Sequence, residues 1–197
     1  MKNLLLIMMV IFTGCTVNVP HISEYRIDAG ESETVFTQKS CSDKSLRVSQ
    51  VFSSSSLMSK KMKYAHGSYI QNDYSESQWA LSPSRALTSE ILKSVRSSEL
   101  FSSVLSYKTR SRSNYMLESS VEDFMQYFSE DEKNSYVRVA IVMSLVESKS
   151  GEVVSSERFI VKKETKSSDA KGGVEALNAA LKELLSQSNK WLSEECK

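Results

Sequence analysis

Apolar residues recur at helical spacing in two segments of the chain. Over 170–195, positions three or four residues apart share one helix face: Val174, Leu177, Leu181, Leu184, Ser188 and Trp191. This spacing predicts an amphipathic helix laid across a sheet, with a coiled-coil partner helix as the alternative. Ser82 followed by Pro83 is a helix start signal, and Leu87, Ile91 and Val95 then share a face, so a second helix is predicted over 83–97.

Alternation of apolar and polar residues predicts three strands on each side of the first helix. The earlier three are YRIDAG (25–30), SLRVSQVF (45–52) and MKYAHGSYIQ (62–71). The later three are YMLESSVEDFMQYF (115–128), with a bulge expected near Asp123, SYVRVAIVMSLVES (135–148) and VVSSERFIVKKE (153–164). The tight-turn signal KSGE at 149–152 joins the last two strands into a hairpin.

The predicted order is therefore βββαβββα. It favours an α+β fold in which a mainly antiparallel sheet of five to six strands carries two helices packed on one face. We expect a single domain over residues 25–197.

The start of the chain has a different character. Its nine apolar residues from Leu4 to Phe12 would extend about 14 Å as a helix, too short for a hydrocarbon core of about 30 Å. Lys2 before this run and the small residues Thr13 and Gly14 after it form the pattern of a secretory signal.

The next residue, Cys15, makes the segment similar to a bacterial lipobox, with Phe12 where leucine is usual. We therefore predict a lipoprotein signal peptide over 1–14, a lipidated tether over 15–24, and acylation of Cys15 by palmitate-type chains. A plain signal peptide followed by a chance cysteine is the alternative. Several acyl chains on one residue would hold the protein on a bilayer without spanning it. By resemblance to Gram-negative lipoproteins, Thr16 after the cysteine permits sorting to the outer membrane, facing the periplasm.

Composition limits the partners and the redox state. Loss of Lys2 with the signal peptide takes the formal net charge from +1 to 0, which gives no bulk attraction to nucleic acid. Cys41 and Cys196 remain in a chain sent to an oxidising compartment, so a disulfide between them is expected. It would close a loop of about 155 residues and stabilise the fold by on the order of 5 kcal/mol. Two free thiols or a redox role are the alternatives.

We find no signature of catalysis, of a cofactor site or of a metal site. The two histidines, His21 and His66, have no second ligand at metal-binding spacing, and no nucleophile or nucleotide-binding motif occurs. The acidic run 129–133 favours a solvated hairpin tip over a calcium site. The basic run 108–113 favours a solvated loop, with contact to a phospholipid headgroup or a partner as alternatives.

Aromatic residues concentrate before the first predicted helix, at Tyr64, Tyr69, Tyr74 and Trp79. Core packing explains most such clusters, and contact with a partner is the alternative. Tyr69, Tyr74 and Trp79 are the candidate partner-binding residues.

Together these segments resemble the ABC-type transport auxiliary lipoprotein family, the outer-membrane lipoproteins that accompany MCE-type lipid transport systems. The resemblance spans about Tyr25 to Trp191. Its most telling part is a tyrosine followed by a tryptophan and a proline before a helix, matched by Tyr69, Trp79 and Pro83. The proline-containing turn expected near 53–56 is missing.

The resemblance implies a non-enzymatic, docking or attachment subunit of an envelope transporter for phospholipid or another hydrophobic molecule. A separate cytoplasmic subunit would hydrolyse ATP and MCE subunits would carry the substrate. A homo-oligomer is compatible with this role. A pilotin-type or assembly lipoprotein for an outer-membrane protein or secretion complex is the alternative, and a direct lipid carrier is the third interpretation.

Overall fold

The computed structural model describes residues 21–30, 36, 41–67 and 69–195 of the chain. In chain order these residues form β1 (Ser23–Tyr25), β2 (Cys41–Val48), β3 (Phe52–Ser53), a short 3₁₀ helix (Ser55–Met58), β4 (Lys61–His66), β5 (Ile70–Trp79), α1 (Pro83–Ser97), β6 (Phe101–Ser106), β7 (Tyr115–Phe128), β8 (Ser135–Glu147), β9 (Val153–Glu164) and α2 (Ala170–Glu195).

Strand β7 lies at the centre of one mixed sheet. On one side it pairs with β8, and β8 with β9, in antiparallel hairpins. On the other side it pairs in parallel with three short strands in turn: Leu46–Val48 with Tyr115–Leu117, Phe52–Ser53 with Ser120–Val121, and Tyr64–His66 with Gln126–Phe128. One continuous stretch of chain, residues 46–66, therefore lies alongside β7 from the beginning of that strand to its end.

The sheet is completed by β6, parallel to β2, by β5, antiparallel to β4, and by β1, parallel to β5. The α+β class with two helices is confirmed. The expectation of a mainly antiparallel sheet of five to six strands is wrong, because the described residues form nine strands in a mixed sheet. Parallel pairs form where residues 46–66 lie alongside β7. Another forms where the crossover through α1 brings β6 beside β2.

Several local predictions are confirmed. Both helices have the predicted bounds, and the register of β7 against β8 shifts between Val121 and Asp123, as expected for a bulge. The turn between β8 and β9 contains Gly151 with φ of 77°, the left-handed conformation that glycine adopts without strain. The side chain of Ser82 makes no capping hydrogen bond to α1, so Pro83 at the first turn is the effective start signal.

Other strand predictions differ from the structure. The stretch 62–71, predicted as one strand, bends at Gly67 with φ of 58°, which separates β4 from β5. The predicted strand 45–52 breaks after Val48, and the first strand ends at Tyr25 although Ile27 and Ala29 beyond it are buried. β6 was not predicted, because its polar sequence FSSVLS buries only Phe101.

The core lies between the sheet and the two helices. α2 packs on β7, β8 and β9, and α1 packs on β2, β6 and α2. The inward residues of β8 are fully buried: Val137, Val139, Ile141, Met143 and Leu145. The helices are also linked by the side-chain amide of Asn189, which donates to Ser94 Oγ at 2.9 Å. These contacts make the sheet and both helices one packed unit.

A polar contact inside this core determines how closely α2 approaches the sheet. Gln126 on β7 is 2% exposed, accepts a hydrogen bond from the Tyr74 hydroxyl at 2.9 Å, and donates to Ser135 Oγ at 2.9 Å. Gly173 in the first turn of α2 lies directly against it, and a Cβ at that position would overlap Gln126 Oε1. The absence of a side chain at Gly173 is therefore what allows the helix to approach the sheet.

We expect Gly173→Ala to destabilise the fold by about 1–3 kcal/mol, because the added methyl group displaces Gln126 and disrupts buried hydrogen bonds. This loss should exceed the gain of about 1 kcal/mol from replacing glycine by alanine in a helix. Denaturant unfolding measures the free energy. In a Gln126→Ala background the same substitution should cost nothing or stabilise. An equal cost in both backgrounds would contradict the overlap argument.

Candidate functional site

The domain has two ends, defined by the direction of β7. At the hairpin end, where β7 ends, lie the β4–β5 turn, the β7–β8 turn (129–134) and the segment 165–169 before α2. At the loop end, where β7 begins, lie the loop 107–114, the β8–β9 turn (148–152) and the last turn of α2. Among the candidate residues, Tyr69 lies at the hairpin end and Cys41 at the loop end.

The first described residues lead toward the hairpin end. β1 runs parallel to β5, and β5 begins at Ile70 beside that end, so residues 21 and 22 before β1 extend toward it. Cys15, the predicted acylation site, lies outside the described residues. The seven residues 16–22 can extend over at most about 25 Å.

An aromatic cluster builds the hairpin end. The ring of Tyr64 lies 4.6 Å from that of Tyr74, 5.3 Å from that of His66 and 5.4 Å from that of Phe128. His66 also stacks on Phe128 at 5.3 Å. Burial raises the pKa of Tyr74, so its hydroxyl stays protonated and holds its hydrogen bond to Gln126. Through these contacts the β4–β5 hairpin packs against the end of β7.

The three candidate partner-binding residues fall in different environments. Trp79 is 4% exposed and packs at 5.8 Å from the ring of Phe124, which makes it part of the core. Tyr74 is half-buried in the aromatic cluster. Tyr69 is 98% exposed, and Ile70 beside it is 59% exposed. Of the three, Tyr69 alone has its whole ring exposed to solvent, and core packing accounts for Trp79.

The acidic run forms the tip of the β7–β8 hairpin, at the same end. The hydroxyl of Ser129 donates to Asp131 Oδ1 at 2.7 Å and the Lys133 N–H donates to it at 3.3 Å, which lowers the pKa of Asp131. Glu132, with φ of 57°, places Oε1 at 3.7 Å from His66 Nε2. No group of three His, Cys, Asp or Glu side chains in the described part of the chain could hold a metal ion.

The outward face of the sheet carries a polar network that the sequence analysis did not identify. Asp123, at the bulge in β7, is 6% exposed, accepts a hydrogen bond from the Tyr127 hydroxyl at 2.6 Å, and forms an ion pair with Arg138 Nε. Tyr127 stacks on Tyr136 with the ring centroids 5.2 Å apart. Burial raises the pKa of Tyr127, so it remains a hydrogen-bond donor. The buried charge is thus paired, as a stable structural role requires.

Cys41 lies at the loop end. It is 1% exposed at the start of β2, and it pairs with Phe101, just beyond the end of α1. α2 ends at Glu195 beside this region, because its Asn189 contacts Ser94 near the end of α1. Cys196, the predicted partner of Cys41, lies outside the described residues.

The described helices also bear on membrane attachment. Neither α1 nor α2 combines the length and the apolar composition that crossing a bilayer requires. The longer of them, α2, buries one face in the core and carries polar residues on the other.

Comparison with solved structures supports the fold. Protein XCC0632 from Xanthomonas campestris superposes with a TM-score of 0.76 at 17% identity, covering 88% of this chain and 96% of that one. A second, uncharacterized protein superposes with a TM-score of 0.65 at 15% identity, covering 90% and 99%. At these identities the likeness shows the fold alone. No curated protein matches the sequence.

A family model places the chain directly. The model described as the ABC-type transport auxiliary lipoprotein component matches residues 25–187, which include every described strand and helix except β1 before residue 25 and the last turns of α2. The match confirms the resemblance inferred from the sequence. The chain belongs to the family of ABC-type transport auxiliary lipoprotein components.

Proposed function

We propose that this chain is the lipid-anchored docking subunit of an MCE-type ABC transport system that moves phospholipid or another hydrophobic molecule across the bacterial envelope. It acts without catalysing a reaction, and it sits on the outer membrane facing the periplasm. The observation that carries the proposal is the family match, which begins at residue 25, directly after the tether 15–24.

Lipidation at Cys15 would orient the domain. Residues 21–22 lead from β1 toward the hairpin end, and the seven residues 16–22 reach at most about 25 Å. We therefore propose that the hairpin end lies next to the bilayer and the loop end farther from it. Tyr69 and Ile70 then stand near the membrane surface, with their side chains exposed. We propose that they contact a transporter subunit that meets the outer membrane there, since exposed aromatic side chains are frequent anchors of interfaces.

A docking subunit has to hold its partner at a fixed place relative to the membrane, and it does not have to bind a reactant. The fold suits this role. The buried residues of both helices and the inner sheet face form a single core cluster. We propose that a disulfide between Cys41 and Cys196 closes the structure further, since it would fasten the end of α2 to the start of β2.

The anchor is tested by changing the residues around the predicted cleavage site. We expect Cys15→Ala to give an uncleaved precursor that carbonate washing releases from envelopes, because no acyl chain can be attached. Thr16→Asp should keep the acyl chains but move the protein to the inner-membrane fraction, whereas Thr16→Ser should not. Unchanged retention of Cys15→Ala would contradict lipidation at this residue.

The partner is tested by co-purification from envelopes solubilised in mild detergent. We expect the full-length protein to recover ABC and MCE subunits. Tyr69→Ala should reduce this recovery about fivefold or more, the effect of losing a moderate interface anchor. Tyr107→Ala is the matched control, because it removes a partly exposed tyrosine at the loop end. Recovery of a secretin or a porin without an MCE subunit would instead support the pilotin-type or assembly role.

The disulfide is tested independently of transport. We expect wild-type protein to move faster on a non-reducing gel than after reduction, and its folded form to resist thiol labelling. Cys196→Ser should lower the free energy of unfolding by about 2–5 kcal/mol, and reduced wild type should match it. Labelling of both cysteines in the oxidised, folded protein would rule out the pairing.

A further inference from the structure

A cationic cleft lies at the loop end, away from the exposed aromatic residues. Its volume is about 510 Å³. Three segments of the chain meet there: β2, the loop 107–114 and the β8–β9 turn. The polar residues that line the cleft are Arg47, Arg110, Ser111, Arg112, Ser113, Ser148 and Lys149.

The walls of the cleft are held by hydrogen bonds. Asn114 Oδ1 accepts bonds from the N–H and the hydroxyl of Ser45, at 2.9 and 2.8 Å, which fastens the loop to β2. The N–H of Ser148 donates to the Asn114 carbonyl at 2.9 Å, which fastens the turn to the same loop. The basic run keeps Arg110 and Arg112 exposed to solvent, as the sequence indicates, while Asn114 directly after it is fastened to β2 and to the turn.

The charges of this cleft are not compensated locally. Among the described residues, none of the cations Arg47, Arg110, Arg112 and Lys149 forms an ion pair, whereas cations elsewhere do, such as Lys61 and Lys63 with Asp73. Four positive charges around one concave surface repel one another, and a bound anion would relieve this repulsion. The chain as a whole has a formal net charge of only +1, so the concentration is local.

Arg47 is fixed in the wall of the cleft. Its Nη2 donates to the carbonyl of Ser111, which fixes the guanidinium group against the loop. Its Nε is buried without a hydrogen-bond partner. Arg47 therefore adds its positive charge to the cleft from the wall, while its Nε is not open to a ligand there.

We infer that this cleft binds a phosphate group. The exposed guanidinium groups of Arg110 and Arg112, with the hydroxyl of Ser111 between them in the chain, offer donors to the several oxygens of a phosphate, which arginine binds in bidentate fashion. Arg47 and Lys149 add positive charge to the same cleft. The volume leaves room for the glycerol or sugar that carries the phosphate. Met116 is the apolar side chain in the lining, so the cleft suits a headgroup rather than acyl chains. The site is independent of the proposed transport role, and either a lipid headgroup or free phosphate can provide the ligand.

The test uses the full-length protein in dodecyl maltoside micelles and isothermal titration with soluble probes. Inorganic phosphate represents the free anion, and glycerophosphoglycerol, the deacylated headgroup of phosphatidylglycerol, represents the lipid source. A hexaglutamate peptide represents an acidic protein partner. The test variant is Arg110→Gln/Arg112→Gln, and Arg112→Lys retains the charge. The control is Arg85→Gln/Lys190→Gln, which removes two exposed cations elsewhere.

We expect saturable binding of a phosphate probe that weakens about tenfold or more in Arg110→Gln/Arg112→Gln, is intermediate in Arg112→Lys, and is unchanged in the control. Binding should also weaken as salt is added. Equal melting temperatures will show that the variants fold. Stronger binding of glycerophosphoglycerol identifies the lipid source, and stronger binding of inorganic phosphate identifies the free anion.

Three results would overturn the inference: no saturable binding of either phosphate probe, unchanged binding by Arg110→Gln/Arg112→Gln, or a preference for hexaglutamate over both. None of these affects recovery of transporter subunits through the hairpin end, so failure of the cleft and failure of the docking role are distinguishable.

Discussion

The pairing of β7 on both of its edges is the constraint on which the rest of the structure depends. One edge takes β8 along nearly the whole strand, and the other takes β2, β3 and β4 in succession. Since β6 is attached through β2, and β5 and β1 through β4, each remaining strand is placed relative to β7. The two ends of the domain, with their different surfaces, are the two ends of this strand.

The two faces of β7 serve different purposes. Its inward side chains join the core beneath α2, where Gln126 meets Gly173 at close range. At the bulge, Asp123 turns outward and pairs with Arg138 and Tyr127. On one face, β7 therefore determines how closely α2 approaches the sheet. On the other face it carries the buried, paired charge of Asp123.

The sequence predicted the elements that depend on local information. The two helices follow from residues three or four apart and from Ser82–Pro83, and the β8–β9 hairpin follows from a turn of four residues. The parallel pairs were not predictable in this way, because they join segments 54–69 residues apart. β6 was not predicted either, because its pairing with β2, rather than any apolar pattern, makes it a strand.

The same limit applies to the candidate sites. The run 108–113 is recognisable in the sequence as a basic segment, but Arg47 and Lys149 come close to it only through tertiary structure. Likewise, an aromatic cluster in the sequence could not separate buried Trp79 from exposed Tyr69.

The parallel strands along β7 also impose an order on folding. A chain emerging from its N-terminus presents β2, β3 and β4 well before the strand with which they pair, and their backbone groups must stay solvated until Tyr115–Phe128 follows. Such non-local pairings fold slowly, since the entropy of closing long loops is lost before the contacts form. The exposed strand edges of the early half make it prone to aggregation during that interval. The molecule is therefore expected to acquire its structure late, once its second half is present to serve as the template.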